Sequence, residues 1–137
     1  DGMGAYVAEQ TVKCMNKKDV VVKDAKILIL GITFKENCPD VRNTKIVDIF
    51  HTLEEYTHNI TVYDPWADAS HVKHEYDIEI SGKKYEDLVG QFDAVILGVA
   101  HNEFKGKNIR ELLANYERGV VYDVKGILNR EMIDGRL

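Results

Sequence analysis

Two cations and an aromatic residue near the first quarter of the chain have the chemistry to hold a ligand. Lys35 follows Phe34 directly after an apolar run, and Arg42 comes shortly after them. A lysine can neutralise a phosphate or donate to sugar oxygens, and an aromatic ring can pack on a base. Arg42 and Asp40 flank the expected start of a helix, where a cation opposes the helix dipole. Two interpretations stay open: Arg42 is kept for an anionic ligand, or it pairs locally with Asp40.

The histidines and cysteines offer less. His71 and His74 are spaced i, i+3 on an expected helix, but no third ligand with convincing spacing follows, so we expect no metal site. Cys38 has no histidine beside it in sequence and is not expected to be a nucleophile. His101 and Asn102 follow a later apolar run, where they either line a site or cap the next segment.

Alternating strands and helices must position these residues. Nearly unbroken apolar runs predict strands that are buried on both faces, and apolar residues at helix spacing predict the helices between them. We expect strands over 27–32, 60–63, 94–99 and 120–124, a short strand over 78–80, and helices over 46–56, 71–76, 85–89 and 109–116. This order predicts an α/β fold with a doubly wound, mainly parallel, Rossmann-like sheet.

Open α/β sheets bind their ligands at the carboxyl ends of the strands, near the point where strand order reverses. That rule selects four loops: 33–37, 64–66, 99–102 and 123–126. The first loop has one glycine, Gly31, where a dinucleotide fold usually has three, so a primary dinucleotide site of the usual kind is not expected. Asp64 precedes a proline, a common way to start a turn, and we interpret it as structural rather than as a ribose ligand.

Size and composition narrow the class of protein. The chain has 137 residues, which suits one domain, and its 45% hydrophobic and 30% charged content is typical of a globular protein. A net charge of -5 argues against binding to nucleic acid or to an anionic membrane surface. Two cysteines favour a reduced, cytoplasmic setting, and no apolar run approaches the ~20 residues of a membrane span.

The first residues show no clear helix start. There is no initiator methionine, only Asp1 and Gly2 precede Met3, and a helical pattern begins almost at once. A capping residue is hard to find there, which favours the last turns of a longer helix in a larger protein. The alternative is a natural N-terminal helix after removal of the methionine.

The sequence resembles the C-terminal domain of the UDP-glucose/GDP-mannose dehydrogenase family. Its signature is similar to residues 27–45, ILILGITFKENCPDVRNTK, and its second and late strands are similar to 62–66, VYDPW, and 121–126, VYDVKG. Residues 1–8, DGMGAYVA, resemble the end of the long helix that joins the two Rossmann-like halves of the family. The loop 33–40, TFKENCPD, resembles the branch that acts on UDP-N-acetylhexosamines and supplies uronic acids for capsules and O-antigens.

The resemblance implies an NAD-dependent nucleotide-sugar 6-dehydrogenase that oxidises the C6 hydroxymethyl group of the sugar to a carboxylate. It implies that an N-terminal half holds NAD and the catalytic cysteine, so this chain carries no catalytic residue and is inactive alone. Carried over by position, Phe34 and Lys35 contact the substrate and Arg42 contacts NAD across the interdomain cleft. Lys125 takes part of the role of an arginine pair that some members have. Cys38 does not match the family's catalytic-cysteine motif.

The resemblance also divides the chain. Residues 1–22 are then the end of the connecting helix and a linker, and residues 23–137 are the UDP-binding domain of a cytoplasmic homodimer. One alternative is the domain of a UDP-glucose 6-dehydrogenase. Another is a non-catalytic, doubly wound nucleotide-binding or regulatory module, although a phosphoacceptor would need paired acids that residues 31–34 lack. A self-contained Rossmann dehydrogenase is disfavoured by the missing glycines.

Overall fold

A five-stranded, wholly parallel sheet forms the centre of the protein. The structure is a computed structural model and describes residues 2–137. The strands are β1 (Ile27–Leu30), β2 (Ile60–Tyr63), β3 (Ala94–Leu97), β4 (Val120–Asp123) and β5 (Gly135–Arg136). Their order is β2-β1-β3-β4-β5, so strand order reverses between β1 and β3. The predicted α/β, doubly wound fold is confirmed.

Two different kinds of helix cover the two faces of this sheet. One face carries the α-helices, which are α1 (Met3–Lys17), α2 (Ile46–Leu53) and α3 (Ala69–Tyr76). The other face is covered mainly by short 3-10 helices, at Tyr85–Leu88, Asn102–Phe104, Ile109–Leu112 and Arg130–Met132. Within residues 2–137, no helix combines the length and the apolar character needed to cross a membrane.

The burial of both faces of the sheet explains why apolar and polar residues do not alternate along the strands. Ile27 and Ile29 of β1 point into the core beneath the α-helices, and Leu28 and Leu30 point into the core beneath the 3-10 helices. All four side chains are fully buried. A strand that is covered on both faces needs apolar residues at every position, as the uninterrupted run predicts.

Several predicted elements differ from the structure. The prediction of a short strand over 78–80 is wrong, because this segment does not form a strand. The adjoining Ser81 N–H donates to the Val62 carbonyl of β2 at 2.7 Å, but this bond does not extend into strand pairing. The expected helix over 109–116 shrinks to a 3-10 helix at Ile109–Leu112, because Leu113 leaves it to form a parallel bridge with Phe92. Helix α2 ends at Leu53, before the expected end at residue 56, and β5 was not predicted.

A charged network joins α1 to the amino ends of β4 and β5. Asp134 accepts hydrogen bonds from Lys18 Nζ, Arg110 Nη1 and the Val121 N–H, each at 2.9 Å. Arg110 is only 6% exposed, and its Nη2 donates to the Gly119 carbonyl at 2.7 Å. Burial raises the pKa of Asp134, but hydrogen bonds from the Val121 N–H, Arg110 and Lys18 outweigh it and hold the pKa below its ordinary value.

We expect Asp134→Asn to lower the free energy of unfolding by about 2 kcal/mol at pH 7, because Arg110 stays buried without its anionic partner. A folded-state pKa below the ~3.9 of an unfolded aspartate means that the carboxylate stabilises fully above about pH 4 and progressively less as the pH falls. The difference between variant and wild type should therefore shrink at pH 3 in urea unfolding. Asp87→Asn, at an exposed aspartate, is the control. If the stability difference between Asp134→Asn and wild type is as large at pH 3 as at pH 7, the negative charge of Asp134 is not what stabilises the network.

Candidate functional site

A cleft of about 240 Å³ opens at the carboxyl ends of β1, β3 and β4. It lies at the reversal of strand order, where α/β sheets bind their ligands. The residues that line it come from the loops after these strands and from the starts of α1 and α2: Met3, Thr33, Phe34, Lys35, Asn43, Thr44, Lys45, Ile46, Gly98, Val99, Val124 and Lys125.

The lining of this cleft is positively charged although the chain as a whole carries -5. Lys35, Lys45 and Lys125 contribute three cations, and no aspartate or glutamate is among the described residues that line the cleft. Helices α1 and α2 both begin at the cleft, with Met3 and Ile46 in its lining. Helix N-termini favour anions through their free N–H groups and their dipole. The arrangement is suited to a phosphate-bearing ligand.

Three of the four residues predicted from the sequence meet in this cleft. Phe34, Lys35 and Lys125 all line it, and Phe34 is 57% exposed, so its ring is available to a ligand. Their contacts to a substrate remain predictions. Lys45 and Met3 were not singled out, and the only signal in the sequence was their position at the starts of helices.

Arg42 lies apart from the other three. It lines a separate groove beside α3, with Glu75 and Tyr76. Its Nε and Nη2 donate to the two carboxylate oxygens of Asp40, both at 3.0 Å, and this pairing lowers the pKa of Asp40 to about 2. The local ion pair that the sequence allowed is therefore present. A contact from Arg42 to NAD remains a prediction.

Arg42 does not lie at the start of α2, so the prediction that it opposes the helix dipole is wrong. Helix α2 begins at Ile46, and Arg42 precedes it in a turn in which the Arg42 N–H donates to Asp40 Oδ1 at 2.9 Å. The chain cannot start the helix earlier because Asn43 adopts a left-handed conformation with φ of 56°. The cation therefore does not oppose the dipole of α2, and its position needs no ligand to explain it.

The segment 33–40, here called the Lys35 loop, is irregular but firmly hydrogen bonded. Phe34 N–H donates to the Asp40 carbonyl at 2.7 Å, which closes the loop at its base. Thr33 Oγ1 donates to the Lys35 carbonyl at 2.9 Å. At the far side, Asn37 Oδ1 accepts from the Asn102 N–H at 2.9 Å. These bonds hold the backbone on which the Lys35 side chain is mounted.

A buried carboxylate supports the start of the Lys35 loop. Asp64, at the end of β2, accepts hydrogen bonds through Oδ2 from the N–H groups of Ile32 at 2.7 Å and Thr33 at 3.2 Å. Its Oδ1 accepts from the Trp66 N–H at 2.7 Å. Burial raises the pKa of Asp64, but hydrogen bonds from His101 and these N–H groups outweigh it and keep the pKa low. With both oxygens engaged in this way, Asp64 has the structural role that the sequence favoured.

Asp123 plays the same part for the loop that carries Lys125. It is fully buried at the end of β4, and its Oδ1 accepts from the N–H groups of Lys125 at 3.0 Å and Gly126 at 2.9 Å. Its Oδ2 accepts from the Leu128 N–H at 2.8 Å. No separate role was predicted for Asp123, although an aspartate that closes an apolar strand before a glycine-containing turn is a recognisable signal.

Other candidate residues take ordinary structural places. His71 lies 3.8 Å from Glu75 on α3, and Cys38 is a free, half-buried thiol. Among residues 2–137, no three His, Cys, Asp or Glu side chains are grouped in a way that could hold a metal ion. His101 is the N-cap residue of the 3-10 helix Asn102–Phe104, as one of the two predicted roles had it, and its carbonyl accepts from the Phe104 N–H at 3.0 Å. Its fully buried side chain makes no capping hydrogen bond and reaches the Lys35 loop instead.

Gly31 serves packing rather than the close approach of a dinucleotide. Its φ is 91°, and an added Cβ would lie 2.5 Å from the Cβ of Val99. The backbone from Ile32 to Lys45 is not helical, so no helix begins directly after this glycine. Among the residues that the structure describes, the first loop therefore does not fit a primary NAD site.

The fold and the cleft together define a doubly wound α/β domain with a lysine-lined cleft at its switch point. The chain belongs to the UDP-glucose/GDP-mannose dehydrogenase family, since the model of that family's UDP binding domain matches residues 28–130. This agrees with the resemblance noted in the sequence.

Relatives in sequence and in structure are consistent with this family. UDP-N-acetyl-D-glucosamine 6-dehydrogenases of Pseudomonas aeruginosa and Salmonella typhi are 47% and 41% identical over the whole chain. The chain spans 32% of the length of each. An NDP-N-acetyl-D-galactosaminuronic acid dehydrogenase from Methanosarcina mazei Go1 has the same fold, with a TM-score of 0.81 at 20% identity, over 99% of this chain and 28% of its own.

We expect Gly31→Ala to lower the free energy of unfolding by about 1–3 kcal/mol, because a side chain there is both strained at positive φ and in collision with Val99. Gly82→Ala is the matched control: its backbone is not left-handed, and nothing lies within 4 Å of an added Cβ. Thermal and urea unfolding measure both variants. Equal stability of the two variants would show that a glycine at position 31 is not needed for the packing against Val99.

Proposed function

We propose that this chain is the UDP-binding domain of an NAD-dependent UDP-sugar 6-dehydrogenase. The parent enzyme oxidises the C6 hydroxymethyl group of a UDP-N-acetylhexosamine to a carboxylate. The observation that carries the proposal is the cleft with three lysines at the switch point of a domain of this family. Relatives named for UDP-N-acetyl-D-glucosamine and UDP-N-acetyl-D-mannosamine support an N-acetylhexosamine as the sugar.

The cleft suits the diphosphate of such a substrate. Lys35 approaches from the loop after β1 and Lys125 from the loop after β4, so a bound diphosphate would meet a cation from two separate loops. The dipole of α2, whose first residue Ile46 lines the cleft, would also favour phosphate oxygens there. The exposed ring of Phe34 is placed to pack on an apolar face of the uracil or the sugar.

The oxidation itself needs groups that this chain does not supply. NAD, when bound, accepts the hydride, and the first loop here does not fit a primary NAD site. We therefore propose that NAD and the catalytic cysteine belong to another half of the parent. The part assigned to this chain is a single contact from Arg42, whose side chain is 71% exposed in its own groove.

The organisation of the parent is part of the same proposal. Residues 1–22 would be the end of a connecting helix with its linker, and residues 23–137 the UDP-binding domain, in a cytoplasmic homodimer. Helix α1 packs closely on α2, and Val7, Ala8 and Met15 are fully buried. This packing supports a connecting helix that is docked firmly on the domain.

We expect UDP to bind the chain, and Lys35→Ala to weaken that binding at least about tenfold, because a charge-assisted contact to phosphate is lost. Lys125→Ala should act in the same direction. Calorimetric titration at low salt measures the dissociation constants. Lys83→Ala is the control, since Lys83 is an exposed lysine in a different cleft near Lys26. Clear binding of NAD without any response to UDP would overturn the proposed function.

For Arg42 we expect a separate effect in the full-length dehydrogenase. Arg42→Ala should raise the KM for NAD about tenfold while the KM for the UDP-sugar stays within twofold or so, because the cation lies outside the UDP cleft. Asp40→Asn separates the two roles of Arg42, since it removes the anionic partner and keeps the cation. If both variants change the kinetics equally, Arg42 serves only the ion pair.

A further inference from the structure

We propose that His101 is a positioning residue that holds the Lys35 loop in the shape that binds a diphosphate. The proposal rests on the proposed function, because it assumes that Lys35 contacts the ligand. His101 follows β3 and is fully buried, yet both ring nitrogens contact groups from other segments. One nitrogen faces the Lys35 loop, and the other faces the carboxylate at the end of β2.

The hydrogen bonds of His101 define its tautomer. The Asn37 N–H donates to Nδ1 at 3.0 Å, so Nδ1 carries no proton. Nε2 lies 3.0 Å from Asp64 Oδ2 and therefore carries the proton that it donates to this carboxylate. Thr33 Oγ1, 3.2 Å from Nε2, gives its own proton to the Lys35 carbonyl and so faces the ring as an acceptor. Nδ1 therefore serves as an acceptor for the loop and Nε2 as a donor to the carboxylate.

The two contacts of His101 in the loop enclose Lys35. Thr33 precedes Lys35 by two residues and Asn37 follows it by two, and both touch the same imidazole. Asn37 has φ of 56°, a left-handed conformation that costs free energy and persists when neighbouring groups impose it. Without the ring, the Asn37 N–H loses its acceptor, and the loop loses a link between its far side and the sheet.

Two aromatic rings flank His101, and one of them provides a probe. The ring of Phe104 lies 5.7 Å from that of His101, and the ring of Trp66 stacks on it at 6.1 Å with an interplanar angle of 25°. Trp66 Nε1 donates to Glu103 Oε1 at 2.8 Å, which fixes the indole. Because Trp66 is the only tryptophan of the chain, its fluorescence reports on this stack.

The test compares three variants of the whole chain. His101→Leu removes the hydrogen bonds of both ring nitrogens, and His101→Gln keeps an acceptor and a donor on one side chain. Phe104→Leu is the matched control, because it removes buried ring volume beside His101 without touching a hydrogen bond of the loop. For each variant we would measure the dissociation constant for UDP, amide hydrogen exchange of Asn37 and of β1, and Trp66 fluorescence.

We expect His101→Leu to weaken UDP binding about tenfold and to speed exchange of the Asn37 amide while β1 stays protected. His101→Gln should restore the UDP affinity and the protection of the Asn37 amide towards wild type. Phe104→Leu should lower the melting temperature but leave the UDP affinity and the protection of Asn37 near wild type. If His101→Leu keeps UDP affinity and Asn37 protection, or if Phe104→Leu lowers them equally, the positioning role is overturned. A wild-type chain that fails to bind UDP would instead reject the function of the cleft, and exchange at Asn37 would still test the link to His101.

Discussion

A carboxylate buried at the carboxyl end of a strand must receive hydrogen bonds, and here the loops supply them. Asp64 collects backbone N–H groups from the loop after β1 and from its own turn, and Asp123 collects three from the loop after β4. Both carboxylates thereby hold irregular backbone that would otherwise leave donors unpaired. The Lys35 loop and the loop with Lys125 are shaped by this requirement. Lys35 and Lys125 are exposed, whereas the carboxylates that hold their loops, Asp64 and Asp123, are buried.

The same requirement explains how far the sequence could predict the structure. Strand positions followed from apolar runs, because a parallel sheet covered on both faces tolerates few polar residues. The meeting of Lys35 with Lys125 followed from the rule that carboxyl ends of parallel strands share one edge. The 3-10 helix at Ile109–Leu112 did not follow, because its apolar spacing suits a longer helix. What ends it is a long-range bridge from Leu113 to Phe92, which no local pattern shows.

For the site, the sequence predicted the residues whose chemistry is visible locally, but not the contacts between distant segments. Phe34 and Lys35 stand out because they follow a strand in an acidic chain. Arg42 was placed at a helix start, but the left-handed turn at Asn43 delays α2 until Ile46. The buried link from Asp64 through His101 to the Lys35 loop joins three segments that are far apart in sequence. Such a network depends on side-chain geometry that spacing alone does not encode.

The electrostatic layout of the chain separates stability from binding. At the amino ends of β4 and β5, Lys18 and Arg110 donate to Asp134 and to the Gly119 carbonyl, so these donors stabilise the fold and are not available to a ligand. At the carboxyl ends, the cleft brings lysines together without a carboxylate in its described lining. The cations of Lys35 and Lys125 would attract an anionic ligand into this cleft. Binding of a diphosphate would therefore stabilise the loops most strongly at low ionic strength, where screening is weakest.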